Sequence, residues 1–130
     1  MGNRYLDWFR QAEADLQHAR HSLEDGDFEW SCFAAHQAAE KALKAVFLKM
    51  GLDAWGHTIT VLIGNLPETA EQPSETLINY ARILDKYYIP TRYPNGFDSG
   101  APTDYYTEEE SSNAIRQAEA ILEFCRHQID

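Results

Sequence analysis

Apolar residues recur along this chain at steps of three and four, and no segment alternates apolar and polar between hairpin turns. The spacing of Tyr5, Trp8, Phe9, Ala12, Leu16, Ala19 and Leu23 predicts a helix over about 3–25, closed by Asp25-Gly26-Asp27. A second helix, about 28–50, carries Phe28, Cys32, Ala35, Ala39, Leu43, Val46 and Met50 on one stripe and stops at Gly51. Alanines dominate its middle, so a neighbouring helix can approach closely. After a loop at 52–57, Thr58 is placed to cap a short helix from Ile59 to about Asn65. The polar connection from Pro67 to Pro73 leads to Ser74, which caps a fourth helix with Leu77, Tyr80, Ala81, Leu84, Tyr87 and Tyr88 on one face. Pro90 ends that helix. Thr107 and Glu110 form a capping box opening a fifth helix, whose face is Ala114, Ile115, Ala118, Ile121, Leu122, Cys125 and Ile129.

These elements predict an all-α fold: an up-and-down four-helix bundle with an additional short helix, in one domain over 1–130. The connection at 89–106 is long for a small bundle, and such loops often carry function. The net charge is −10, which disfavours a nonspecific polyanion binder and suits a protein that docks a basic partner. No run is long and apolar enough for a membrane span, and the N-terminal order lacks the basic-then-apolar pattern of a secretory leader. Cys32 and Cys125 lie far apart in apolar helical patterns and read as reduced packing residues, which gives a cytoplasmic expectation.

Candidate chemistry is sparse. Gln37, Lys41 and Lys44 share one stripe of the second helix, with His36 and Glu40 on its edge. The stripe can hold a phosphate or a base, or it can be a solvated face with Glu–Lys pairing. His57 precedes a helix, where it can bind a ligand, move a proton or satisfy local backbone. His18 and His21 are three apart but lack a third marked ligand, so no metal is assigned. Arg92 stands in Tyr87-Tyr-Ile-Pro-Thr-Arg-Tyr-Pro-Asn-Gly96, amid tyrosines and prolines. A guanidinium there can stack on rings and clamp phosphate or carboxylate, or pair structurally with Asp85 or Asp98. No phosphate loop, zinc cluster or nucleophile elbow occurs.

The chain resembles the HEPN domain family, nucleotide-binding helical domains of prokaryotes and higher eukaryotes. The resemblance rests on Ala14-Asp-Leu16, on Cys32-Phe-Ala-Ala-His-Gln-Ala-Ala-Glu-Lys-Ala-Leu-Lys-Ala45, on His57, and on Tyr88-Ile-Pro-Thr-Arg-Tyr-Pro94 in this order. It implies a helical bundle paired into a homodimer, with a minimal nucleotidyltransferase as partner. Some such pairs act as toxin and antitoxin, in which the HEPN member cleaves RNA with an arginine followed, after four to six residues, by a histidine. Here the positions after Arg92 are Phe97, Asp98 and Ser99, and no other arginine has a histidine in that window. No catalytic residue is therefore assigned.

Three readings follow. The first is a noncatalytic module that binds ATP, another nucleotide or a nucleotide-bearing partner. In it Arg92, Lys44 and Lys41 face phosphate, Tyr93 or Tyr88 stacks, and Gln37 and His57 supply hydrogen bonds. The second is a metal-independent, toxin-type ribonuclease acting on RNA, with His57 in the missing histidine's place if the fold brings it to Arg92. The third is a structural dimeric bundle.

Overall fold

The computed structural model describes residues 4–130. The expected helix start at position 3 and the leader reading of positions 1–3 lie outside the described residues. Five α-helices follow in order: α1 (Arg4–Asp25), α2 (Phe28–Lys49), α3 (Ile59–Gly64), α4 (Glu75–Asp85) and α5 (Glu108–Ile129). Among the described residues there is no strand, and no helix is long and apolar enough to cross a membrane. The bundle expected from periodicity is present.

The centre of the fold is α2, which packs chiefly on α1 and α5 and also meets α3 and α4. Its alanines explain this. Ala35, Ala38, Ala39, Ala42 and Ala45 are fully buried, and side chains this short let several helices approach one axis. Ala12 and Ala19 of α1 and Ala114 and Ala118 of α5 are equally buried opposite them. Leu43, Ile59, Ile63, Leu84 and Ile121 fill the remaining core. Cys32 and Cys125 are unpaired and buried; burial pushes the Cys32 thiol up to about 12 and raises that of Cys125 further.

Helix ends obey local chemistry in most places. Gly26 takes φ 82° after α1, and the amides of Gly26 and Asp27 bond back to the carbonyls of Leu23 and Ser22. Gly51 repeats this after α2 with φ 75°, satisfying Leu48 and Phe47. Only glycine adopts that left-handed turn without a steric cost. The Ser74 hydroxyl accepts from the Leu77 amide, and Thr107 and Glu110 close the capping box.

Two expectations need correction. The Thr58 side chain makes no cap bond to α3. Instead Asp85, at the end of α4, accepts from the Ile59 amide at 2.6 Å, from the Thr60 amide at 3.1 Å and from the Thr60 hydroxyl. An ionised carboxylate with both oxygens on orphan amides outcompetes a local hydroxyl. For a six-residue helix this clamp is decisive. Asp85→Ala is expected to cost about 2 kcal/mol and to lower Tm by roughly 8 °C, read by thermal circular dichroism.

Second, α4 ends at Asp85, short of the Tyr87–Tyr88 pair. Pro90 disfavours helical backbone before it, so the chain tightens and then turns. Tyr87 stays in the core, edge-on to Tyr106, while Tyr88 faces α2. Side chains replace the lost helical bonds. The Thr91 hydroxyl donates to the Tyr87 carbonyl at 2.7 Å, and Arg92 Nε donates to the Tyr88 carbonyl at 2.8 Å. The rest of the connection is organised by 3-10 turns at Pro94–Gly96 and Pro102–Asp104 and by Phe97 stacked flat on Tyr105 at 4.2 Å.

Candidate functional site

The turn after α4 lays Arg92 and Tyr88 against α2. The Arg92 guanidinium carbon lies 4.4 Å from the centroid of the Phe33 ring, 4.7 Å from that of Tyr88 and 5.3 Å from that of Tyr93. Neither Asp85 nor Asp98 pairs with it, and among the described residues it has no carboxylate within 4.0 Å. The structural pairing left open by the sequence is thus absent. Nε is spent on the Tyr88 carbonyl, which fixes the plane of the group, and its terminal nitrogens have no acceptor among the described residues.

Tyr88 is the hub of the cluster. His57 stacks on it at 4.6 Å with planes 18° apart, and His36 lies 5.0 Å away. His57 and Arg92 therefore share one tyrosine ring without bonding each other. Beneath them Glu40 is buried, its side chain only 5% exposed. Lys44 Nζ lies 3.0 Å from one Glu40 oxygen, and His57 Nδ1 lies 3.1 Å from both. Nδ1 donates to this carboxylate, and Nε2 has no partner among the described residues. His57, Tyr88, Lys86, Ile89 and Pro90 wall a hollow of about 360 Å³. Arg92 is not among its walls; Tyr88 joins the two.

His36 is fully buried, with Nε2 donating to the His57 carbonyl at 2.9 Å and Nδ1 3.1 Å from Gln37 Oε1. Burial lowers its pKa from 6.5, outweighing the opposing pull of the Gln37 bond and the Glu40 charge. Burial disfavours the charged ring in the folded chain, whereas the unfolded ring binds a proton below about 6.5. The unfolded state then holds more protons, so stability is present above that pH and is lost as pH falls through it. Urea titrations at neutral and mildly acidic pH are expected to show a loss of up to about 1.4 kcal/mol per pH unit, and His36→Asn flattens that slope.

Of the residues singled out in the sequence, Arg92, Tyr93, Tyr88 and His57 come together. Lys44 joins through Glu40 and Gln37 through His36. Lys41 does not join them; it pairs with Asp15 of α1 at 2.5 Å. His36 and Glu40, expected at the edge of a solvated stripe, are interior. Phe33 and Lys86 were not singled out. Phe33 had a signal, since Phe33, His36 or Gln37, Glu40 and Lys44 follow one another at helical steps. Lys86 had none, because its place depends on where α4 breaks. His21 Nε2 lies 3.1 Å from the Gln17 amide, and among the described residues no group of three or more His, Cys, Asp or Glu is placed to hold a metal.

A central alanine-rich helix, a capped short helix and an arginine-bearing turn folded onto aromatic rings define a helical-bundle domain of one recognisable class. The HEPN domain model matches residues 5–128, and the chain belongs to that family. Among solved structures it is similar to TT1696 from Thermus thermophilus, with 48% identity, TM-score 0.94, and 97% of this chain and 98% of that one covered. ST0689, described as an archaeal HEPN homologue, is 38% identical with TM-score 0.82 over 97% and 98% of the two chains. A HEPN domain protein of Thermotoga maritima is also 38% identical, with TM-score 0.75 over 93% and 95%. A Methanocaldococcus jannaschii protein named "Putative toxin MJ1304" is 25% identical over 124 residues, which is 89% of this chain and 82% of that protein.

Proposed function

We propose that the chain is a noncatalytic HEPN binding module that receives a nucleotide, or a nucleotide-bearing partner, at the Arg92 cluster. The observation that carries this reading is a guanidinium with no carboxylate partner, half-exposed and oriented among Phe33, Tyr88 and Tyr93. Rings offer stacking to a base, and the free terminal nitrogens offer paired hydrogen bonds to phosphate. His57 Nε2 and Lys86 add polar contacts beside them. The window after Arg92 in which ribonuclease members carry a histidine holds Phe97, Asp98 and Ser99, and the Phe97 ring is stacked on Tyr105. In this reading the module works as a homodimer with a minimal nucleotidyltransferase. Titration calorimetry with ATP and GTP, on the chain alone and with that enzyme, tests it; no heat in either setting removes the nucleotide reading.

A metal-independent ribonuclease is the second reading. Glu40 and His57 form a carboxylate–imidazole pair suited to moving a proton, and one relative bears a toxin's name. Incubation with RNA in a chelator separates the two. Cleavage that vanishes in both His57→Ala and Arg92→Ala favours the enzyme, and intact RNA favours the binding module.

A further inference from the structure

All three tryptophans of the chain, Trp8, Trp30 and Trp55, line one surface groove between α1, α2 and the 52–57 loop. The groove is a series of hollows of about 240, 210 and 250 Å³. Neighbouring hollows share Lys41 and then Trp8. Its floor is a stripe of α2 running from Trp30 through Phe33, Gln37, Lys41 and Lys44 to Leu48, which spans about 27 Å at the helical rise. Trp55 is 84% exposed and Trp30 46% exposed. Such rings, aligned rather than scattered, are what interfaces use as anchors.

Charge decides what fits. Each of the groove's lysines and arginines is already paired: Lys41 with Asp15, Lys44 with Glu40, and Arg4 with Asp7. Asp53, beside Trp55, has no cationic partner among the described residues. The groove thus offers rings and a carboxylate but no unpaired lysine or arginine, on a chain of net charge −10. The chain's net negative charge repels a polynucleotide. An amphipathic helix with apolar anchors every three or four residues and Lys or Arg at its flanks meets the opposite. We propose that this groove docks a basic amphipathic helical segment of another protein. The groove meets the proposed nucleotide site at Phe33, which lines the first hollow and carries the Arg92 guanidinium, whereas Arg92, Tyr88 and His57 lie outside the groove's walls.

The test uses a peptide of about 18 residues, matching the groove at 1.5 Å per residue, with leucine on one helical face and lysine elsewhere. Two controls keep its length: one scrambles the leucines, the other replaces lysine by glutamate. Tryptophan emission and calorimetry follow binding. The Leu/Lys helix is expected to shift the emission to the blue and to bind roughly tenfold or more tightly than either control. Trp30→Ala and Trp55→Ala, both at exposed rings, are expected to weaken binding by about tenfold each without lowering Tm. Equal binding of the scrambled peptide, or wild-type binding by both tryptophan variants, overturns the proposal. So does a sedimentation shift from dimer to monomer on Trp55→Ala, which would make the occupant a second copy. Emission changes at lower concentrations of oligouridine than of peptide would also overturn it, in favour of RNA.

Discussion

Arg92→Ala is expected to weaken ATP or GTP binding by roughly ten- to a hundredfold, the range of a lost charge-assisted hydrogen-bond pair. The fold survives the change, because no buried carboxylate is left behind. Among the described residues the one hydrogen bond of its side chain is Nε to the Tyr88 carbonyl, which contributes about 1 kcal/mol. Arg92→Lys separates charge from shape. An ammonium keeps the attraction but lacks the flat face that rests on Phe33 and Tyr88, and it cannot hold the Tyr88 carbonyl while presenting two donors in one plane. The lysine variant should therefore bind far more weakly than wild type and respond more steeply to salt. Calorimetry at two ionic strengths reads both effects. Identical heats for all three proteins would leave Arg92 a structural role.

Glu40→Ala is expected to be the most damaging single change to stability among the polar residues, at about 3 kcal/mol. The carboxylate is interior and is shared by Lys44, whose side chain is 13% exposed, and by His57, which is 53% exposed. Removing it strands an ammonium that can only partly reach water and takes from the His57 ring its hydrogen-bonded carboxylate, leaving the stack on Tyr88. Glu40→Gln keeps the volume and one acceptor, so its cost should fall between wild type and alanine. Equilibrium unfolding in urea gives both numbers, and an alanine variant as stable as wild type would show that water already reaches the pair. Because His57 then loses the bond that orients its ring, any function of its Nε2 should decline even where the fold holds.

The helices were legible because their signals are local. Steps of three and four, a glycine after each long N-terminal helix and the Thr107–Glu110 box all act within a turn or two of chain. What escaped depends on distant groups. Thr58 is a sound cap in isolation, but Asp85 arrives from another helix with a full charge and two free oxygens. The α2 stripe looked solvated because a helical wheel shows which residues share a face, not which neighbour covers it. Tyr88 and His57 close over His36 and Glu40, and nothing within α2 announces either. Arg92 was legible as an oddity of composition. Its freedom from Asp85 and Asp98 was not, since that depends on Asp85 being occupied elsewhere.

The two cysteines have a practical consequence. Both sulfurs sit in the interior of a bundle whose other thiol-reactive positions are none, and both resist ionisation. Alkylating reagents attack the thiolate, so modification waits for the helices to part. The chain thereby carries an intrinsic clock for its own opening, one sulfur on the central helix and one on the last, with no label to be engineered.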